Sequence, residues 1–137
     1  MSQISTIKQM YSLAKYYRML AKDFAKGDYW NERHSHMYWT HFNSSFFEKI
    51  VLLTFETKLP GLKIPQDLIE EGTRLERMCR ELKLDGRTVP TNDYLDKYRK
   101  VIVDYLLLSE KFHKKLMNIL IAYYKSNRWI VKMQVIG

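Results

Sequence analysis

Apolar residues recur at intervals of three and four along most of the chain, which is the period of an amphipathic helix. The pattern predicts helices over residues 4–26, 31–58, 65–84 and 93–127, with no convincing alternating strand between them. We therefore predict an all-α protein of about four long helices. An N-terminal amphipathic basic helix, or arm, precedes an antiparallel helix bundle in this prediction.

Glycine and proline bound the first and third predicted helices. Gly27 is expected to stop the first helix, Pro65 to lie in the first turn of the third, and Gly86 to follow the end of the third. One narrow stripe of the third helix is expected to face inward: Leu68, Gly72, Leu75, Cys79 and Leu82.

The fourth predicted helix, from Asp93 to Asn127, would be about 50 Å long at 1.5 Å per residue, which is long for a small bundle. Thr91 or Asn92 is expected to cap its start. A break near Ser109 or Asn118 is the alternative to one continuous helix.

Basic residues are in excess, and they lie near the two ends of the chain. The 137 residues include 23 lysines and arginines and 15 aspartates and glutamates, a formal net charge of +8. Residues 1–30 carry +3 and residues 91–137 carry +5, whereas 31–60 and 61–90 are neutral. This distribution is typical of a protein that binds a polyanion. The single cysteine cannot form an intrachain disulfide, and no apolar run approaches the ~18–20 residues that span a bilayer.

Two sets of basic residues recur at helical spacing. The set on the first helix lies about 100° from its apolar row and meets no acidic residue before Asp23. Its members are Lys8, Tyr11, Lys15, Arg18, Lys22 and Lys26. The second set, near the C terminus, is Lys125, Arg128 and Lys132. Both sets favour contacts with nucleic-acid phosphates; the alternative is the solvated face of an amphipathic helix.

The C-terminal tail is unusually apolar. Its apolar residues are Trp129, Ile130, Val131, Met133, Val135 and Ile136. An exposed apolar segment of this extent usually marks a contact surface. The tail is predicted to dock on a neighbouring copy of the chain, with folding back onto its own core as the alternative.

No arrangement of residues predicts an enzyme, a metal site or a cofactor. Glu110 and His113 match half of a di-iron carboxylate motif, but no second Glu-x-x-His exists, and the neighbouring lysines favour an exposed face. Cys79 falls on the apolar stripe of the third helix, where cysteine packs as a small hydrophobe. Three further histidines lack the spacing of a chelating pair on one helix: His34, His36 and His41.

The organisation of the whole chain resembles the coat proteins of filamentous archaeal viruses, of the rudivirus and lipothrixvirus type. The resemblance rests on the basic helical segment from Ser2 to Lys26 and on a helical body that ends in the apolar segment from Trp129 to Ile136. It implies a single domain in which residues 1–30 form a basic helical arm and residues 31–137 form a helix bundle with an apolar C-terminal tail. It also implies a capsid protein of the virion, present in the host cytoplasm before assembly.

That resemblance implies particular partners. Many copies would wrap double-stranded DNA without reading its sequence and form a helical filament, with a paralogous coat protein and a lipid envelope as further possible partners. No small-molecule substrate is expected. The alternatives are a small helical regulator that binds nucleic acid and a bundle that binds other proteins.

Overall fold

The computed structural model describes residues 3–30, 59, 61–84 and 90–126. Within these residues all regular structure is helical, which confirms the predicted all-α bundle. The second predicted helix, residues 31–58, lies outside the described residues. The described helices are α1 (Gln3–Ala25), α2 (Gln66–Glu81), α3 (Asn92–Lys97) and α4 (Arg99–Ser126). None of these helices is both long enough and apolar enough to cross a membrane.

The longest helices, α1 and α4, pack side by side in antiparallel directions. Near the end of α1, Gly27 lies beside Arg99 at the start of α4. Halfway along, the rings of Tyr17 and His113 stack with centroids 5.1 Å apart. The first half of α1 therefore runs beside the second half of α4.

The core lies mainly between α1 and α4. The apolar row predicted for the first helix is buried from Met10 to Phe24, and Ile7 packs against the same core. The helix that we expected as an arm is therefore also part of the packed helical body. The buried residues of α4 are Ile102, Tyr105, Leu106, Ser109, Phe112, His113, Leu116 and Leu120.

Helix α2 covers another side of α4 with the stripe that the sequence predicts. Cys79 is 1% exposed and packs with the other apolar residues of that stripe. At the helix surface, Lys115 Nζ lies 3.0 Å from Glu71 Oε2 and joins α4 to α2. Pro65 occupies the N-cap position, one residue before the first turn in which we expected it.

Both α1 and α2 end in a Schellman motif, but with different residues in the left-handed position. Gly27 has φ +81°, as its predicted role requires, and Asp28 N donates to Asp23 O at 2.9 Å. In α2 the left-handed residue is Lys83, with φ +55°. The helix thus ends earlier than expected, and Gly86 lies outside the described residues.

The predicted fourth helix breaks at Tyr98, not near Ser109 or Asn118. Thr91 caps the short helix α3 by accepting a hydrogen bond from Tyr94 N at 3.2 Å. Tyr98 has φ −106° and ψ 16°, and α4 begins at the next residue. Hydrogen bonds with distant residues hold α3 in place. Tyr94 Oη donates to Leu82 O at 2.6 Å, and two side chains of the segment after α1, Tyr29 and Trp30, donate to Asp96 and Asn92. These contacts between distant residues account for a break that apolar periodicity does not show.

Candidate nucleic-acid interface

The predicted basic face of α1 is exposed along its whole length. Its apolar row packs on α4, so the neighbouring row is left at the surface. The exposed members are Lys8, Tyr11, Lys15, Arg18, Lys22 and Lys26. Lys125 is exposed in the last turn of α4. The other predicted contact residues lie outside the described residues. These are the basic residues Arg128 and Lys132 and the self-association residues Trp129, Ile130, Val131, Met133, Val135 and Ile136.

A groove between α1 and α4 brings part of this row together with residues of α4. Its volume is about 510 Å³, within the ~300–1,000 Å³ range of small-molecule sites. Along α1 it extends from Tyr11 to Lys22, about 16 Å at 1.5 Å per residue. The remaining residues that line it are Ala14, Lys15, Arg18, Met19, Glu110, Lys114, Met117 and Asn118.

The groove carries an excess of positive charge. Lys15, Arg18 and Lys22 enter from α1 and Lys114 from α4, against the single carboxylate of Glu110, a formal charge of +3. Lys114 Nζ lies 3.1 Å from Glu110 Oε2. In the described part of the chain the three α1 cations form no ion pair. They are therefore available to a negatively charged ligand.

The lining also has an apolar part. Ala14 is buried, and Met19 and Met117 are half-buried. Tyr11 is 59% exposed and Asn118 is exposed at the same end of the groove. The groove thus combines a cationic rim with an apolar lining and one accessible aromatic ring.

The structure separates the predicted basic residues into two groups. Lys15, Arg18 and Lys22 line the groove together with Tyr11, whereas Lys8 and Lys26 lie beyond its two ends on the same helix. Because α1 and α4 are antiparallel, Lys125 lies at the end of the helix pair where α1 begins.

Three polar residues of the groove were not among the predicted contacts: Glu110, Lys114 and Asn118. Their positions depend on how α1 and α4 align, and the sequence of α4 alone does not carry that information. The sequence signal that could have identified Lys114 is the lysine cluster to which it belongs, combined with an antiparallel arrangement of the two basic segments.

His113 contradicts the expected exposed face. It is 1% exposed, and its Nδ1 lies 2.7 Å from Ser109 O, a distance at which an Nδ1–H donates to this carbonyl. One ring face stacks on Tyr17, so the imidazole fills the α1–α4 core. The described residues contain no group of three or more histidines, cysteines or carboxylates suited to a metal ion. His34, His36 and His41 lie outside the described residues.

A second polar cluster joins the segment after α1 to the α3–α4 junction. Tyr29 Oη donates to Asp96 Oδ1 at 2.5 Å and accepts from Arg99 Nε at 2.8 Å. Arg99 Nη2 also donates to Asp96 Oδ1 at 2.6 Å. The hydrogen bond from Tyr29, together with Arg99, lowers the pKa of Asp96 below its usual value, whereas burial raises the pKa of Tyr29. The cluster lies at the end of the helix pair where α1 ends and α4 begins.

No protein-family model, no curated protein and no solved structure matches this chain.

Proposed function

We propose that this chain is a non-enzymatic structural protein that coats double-stranded DNA without reading its sequence. Many copies would assemble into a helical viral filament, in the virion after assembly in the host cytoplasm. The observation that supports the proposal is the groove in which Lys15, Arg18 and Lys22 of α1 lie together with Lys114 of α4. A paralogous coat protein and a lipid envelope are the further partners that fit such a particle.

The physical basis is neutralisation of phosphates. Each phosphate that a lysine or arginine neutralises releases condensed counterions, which favours binding at low salt and involves no base contact. The exposed row on α1 presents five such groups, between Lys8 and Lys26. Five contacts predict that the logarithm of the binding constant falls against the logarithm of salt concentration with a slope of about −4.5.

The first experiment removes charge from this surface and compares it with equal removal elsewhere. One variant carries Lys8→Gln, Lys15→Gln, Arg18→Gln and Lys22→Gln. The matched control replaces three lysines and one arginine that are exposed and do not line the groove: Lys63→Gln, Arg74→Gln, Lys83→Gln and Lys100→Gln. Fluorescence anisotropy with a labelled duplex, over a series of salt concentrations, measures the slope.

We expect the slope of the α1 variant to shrink to about −1, while the control keeps most of its slope. Equal loss in both variants would mean that only the net charge matters, and it would refute this surface as the DNA interface. Much tighter binding to one sequence than to bulk DNA would refute the coat and favour a regulator.

The second experiment tests self-assembly through the C-terminal tail. Replacing Ile130, Val131, Val135 and Ile136 with serine removes much of its apolar surface. We expect the variant to bind a short duplex normally and to form no filaments in negative-stain images, with or without long DNA. Filaments as abundant as those of the unmodified chain would contradict a role of the tail in assembly.

A further inference from the structure

Phosphates account for only one part of the groove. A duplex presents phosphates, sugars and base edges to a protein surface, but it keeps the flat faces of its bases stacked inside, so it has no free base face for the apolar lining. Met19 and Met117 are half-buried beside the buried Ala14. Apolar surface of this kind favours a ligand that brings an apolar face together with its negative charge.

The residues at one end of the groove have the chemistry that recognises a nucleobase. Tyr11 is the most exposed large hydrophobic side chain in the described part of the chain, at 59%, and an exposed aromatic ring in a basic groove is a stacking platform for bases. Methionine sulfur also packs favourably against aromatic rings. The amide of Asn118 both donates and accepts hydrogen bonds, as a base edge requires.

We propose that the groove between α1 and α4 binds an unpaired nucleotide of a nucleic-acid strand. Its base lies against Tyr11 and the two methionines, and its phosphates lie against Lys15, Arg18, Lys22 and Lys114. The volume of about 510 Å³ admits a base with its sugar and phosphate. This inference rests on the proposed function in one respect: the same α1 cations contact phosphate in both.

Glu110 limits the affinity of this site. Its side chain is 13% exposed, and it is the one carboxylate among the described residues that line the groove. If a phosphate bound about 7 Å from this carboxylate, the repulsion between unit charges in water would correspond to about a threefold change in affinity. Removal of the charge should therefore strengthen binding, which is the opposite of what damage to the fold would do.

The experiment compares a labelled oligothymidine strand with a duplex hairpin of matched length that has no frayed end, both measured by fluorescence anisotropy. The variants are Tyr11→Ala, Tyr11→Phe and Glu110→Gln. Two controls change residues that do not line the groove: Leu107→Ala removes another exposed apolar side chain of 46% exposure, and Asp104→Asn removes an exposed carboxylate of α4.

We expect Tyr11→Ala to weaken binding of the single strand about fivefold or more, because base stacking is lost, and to change duplex binding less than twofold. Tyr11→Phe should retain both affinities, and Glu110→Gln should tighten single-strand binding about threefold. Leu107→Ala and Asp104→Asn should leave the single-strand affinity within about twofold of the unmodified chain, since neither touches the groove.

Two results would overturn the site. The first is that Tyr11→Ala changes the single-strand and duplex affinities equally, or changes neither. The second is that Glu110→Gln changes the single-strand affinity no more than Asp104→Asn does. The proposed coat function would survive either result, since it depends on duplex binding and on filaments. Conversely, the nucleotide site could be present in a chain that forms no filament.

Discussion

Gly27 and Lys83 hold the same left-handed position in the two Schellman motifs. Replacing the glycine should therefore lower stability, and introducing a glycine in place of the lysine should raise it. Replacing Gly27 with alanine puts a Cβ atom at a backbone position with φ +81°. A left-handed conformation costs an L-residue about 1–2 kcal/mol, and the reduced freedom of the unfolded chain returns about 0.4–1 kcal/mol. We therefore expect Gly27→Ala to lower the free energy of unfolding by about 1 kcal/mol.

The surroundings of Gly27 add to that cost. The new Cβ would lie 3.2 Å from Arg99 Nη2, and this nitrogen also donates to Asp96. The guanidinium must shift by a few tenths of an ångström, which weakens a hydrogen bond that closes the end of the helix pair. This close contact therefore lowers the free energy of unfolding further, in addition to the cost of the left-handed backbone conformation.

Lys83 provides the reciprocal test. It holds φ +55° at the same position of the second motif, and its side chain is exposed. Lys83→Gly should therefore raise the free energy of unfolding by about 0.5–1 kcal/mol. Urea denaturation followed by far-UV circular dichroism measures both variants. A Gly27→Ala protein as stable as the unmodified chain, or a destabilised Lys83→Gly protein, would refute the reasoning.

Three further changes test the core and the polar cluster. Tyr29→Phe removes the hydroxyl that bridges Asp96 and Arg99, so the free energy of unfolding in urea should fall by about 1 kcal/mol. The pKa of Asp96 is lowered from 3.8 in the folded protein, so its contribution to stability is present above that pH and is lost as the pH falls through the lower folded value. Asp96→Asn should accordingly flatten the acid limb of stability against pH, and an unchanged limb would contradict this. Phe112→Ala empties a fully buried position and should cost about 3–5 kcal/mol, whereas the exposed Leu107→Ala should stay within about 0.5 kcal/mol by the same urea measurement.

Among the described residues, local patterns were sufficient to predict the helical segments, apart from the break at Tyr98, and most of their buried residues. Burial in a helix follows a period of 3.6 residues, so the stripe that includes Leu75 and Cys79 could be identified without knowledge of its partner. The stop at Gly27 was equally local, because a left-handed residue after a helix favours glycine. Features of this kind depend on residues within one or two helical turns.

Features that depend on distant contacts could not be predicted in the same way. The break at Tyr98 lies beside two hydrogen bonds of Tyr29. This residue donates to Asp96, 67 residues away in the sequence, and accepts from Arg99, 70 residues away. His113 looked like a surface residue because lysines surround it in sequence, but its ring packs on Tyr17 of α1. The alignment of two helices decides such cases, and periodicity within one helix does not determine that alignment.

The alignment of α1 with α4 also determines which basic residues lie together at the surface. Residues 1–30 and 91–137 hold all the excess positive charge. If these two segments lay on opposite sides of the protein, each side would have only a weak positive electrostatic potential. Antiparallel packing of α1 and α4 brings Lys15 and Lys114 to one groove. The described residues that line the groove supply one carboxylate, Glu110, which already pairs with Lys114, so a net positive charge remains in the groove. The packing of an ordinary apolar core therefore also assembles the cationic groove that we propose as the nucleic-acid interface, and a change in the register of α1 on α4 would disturb the core and the groove together.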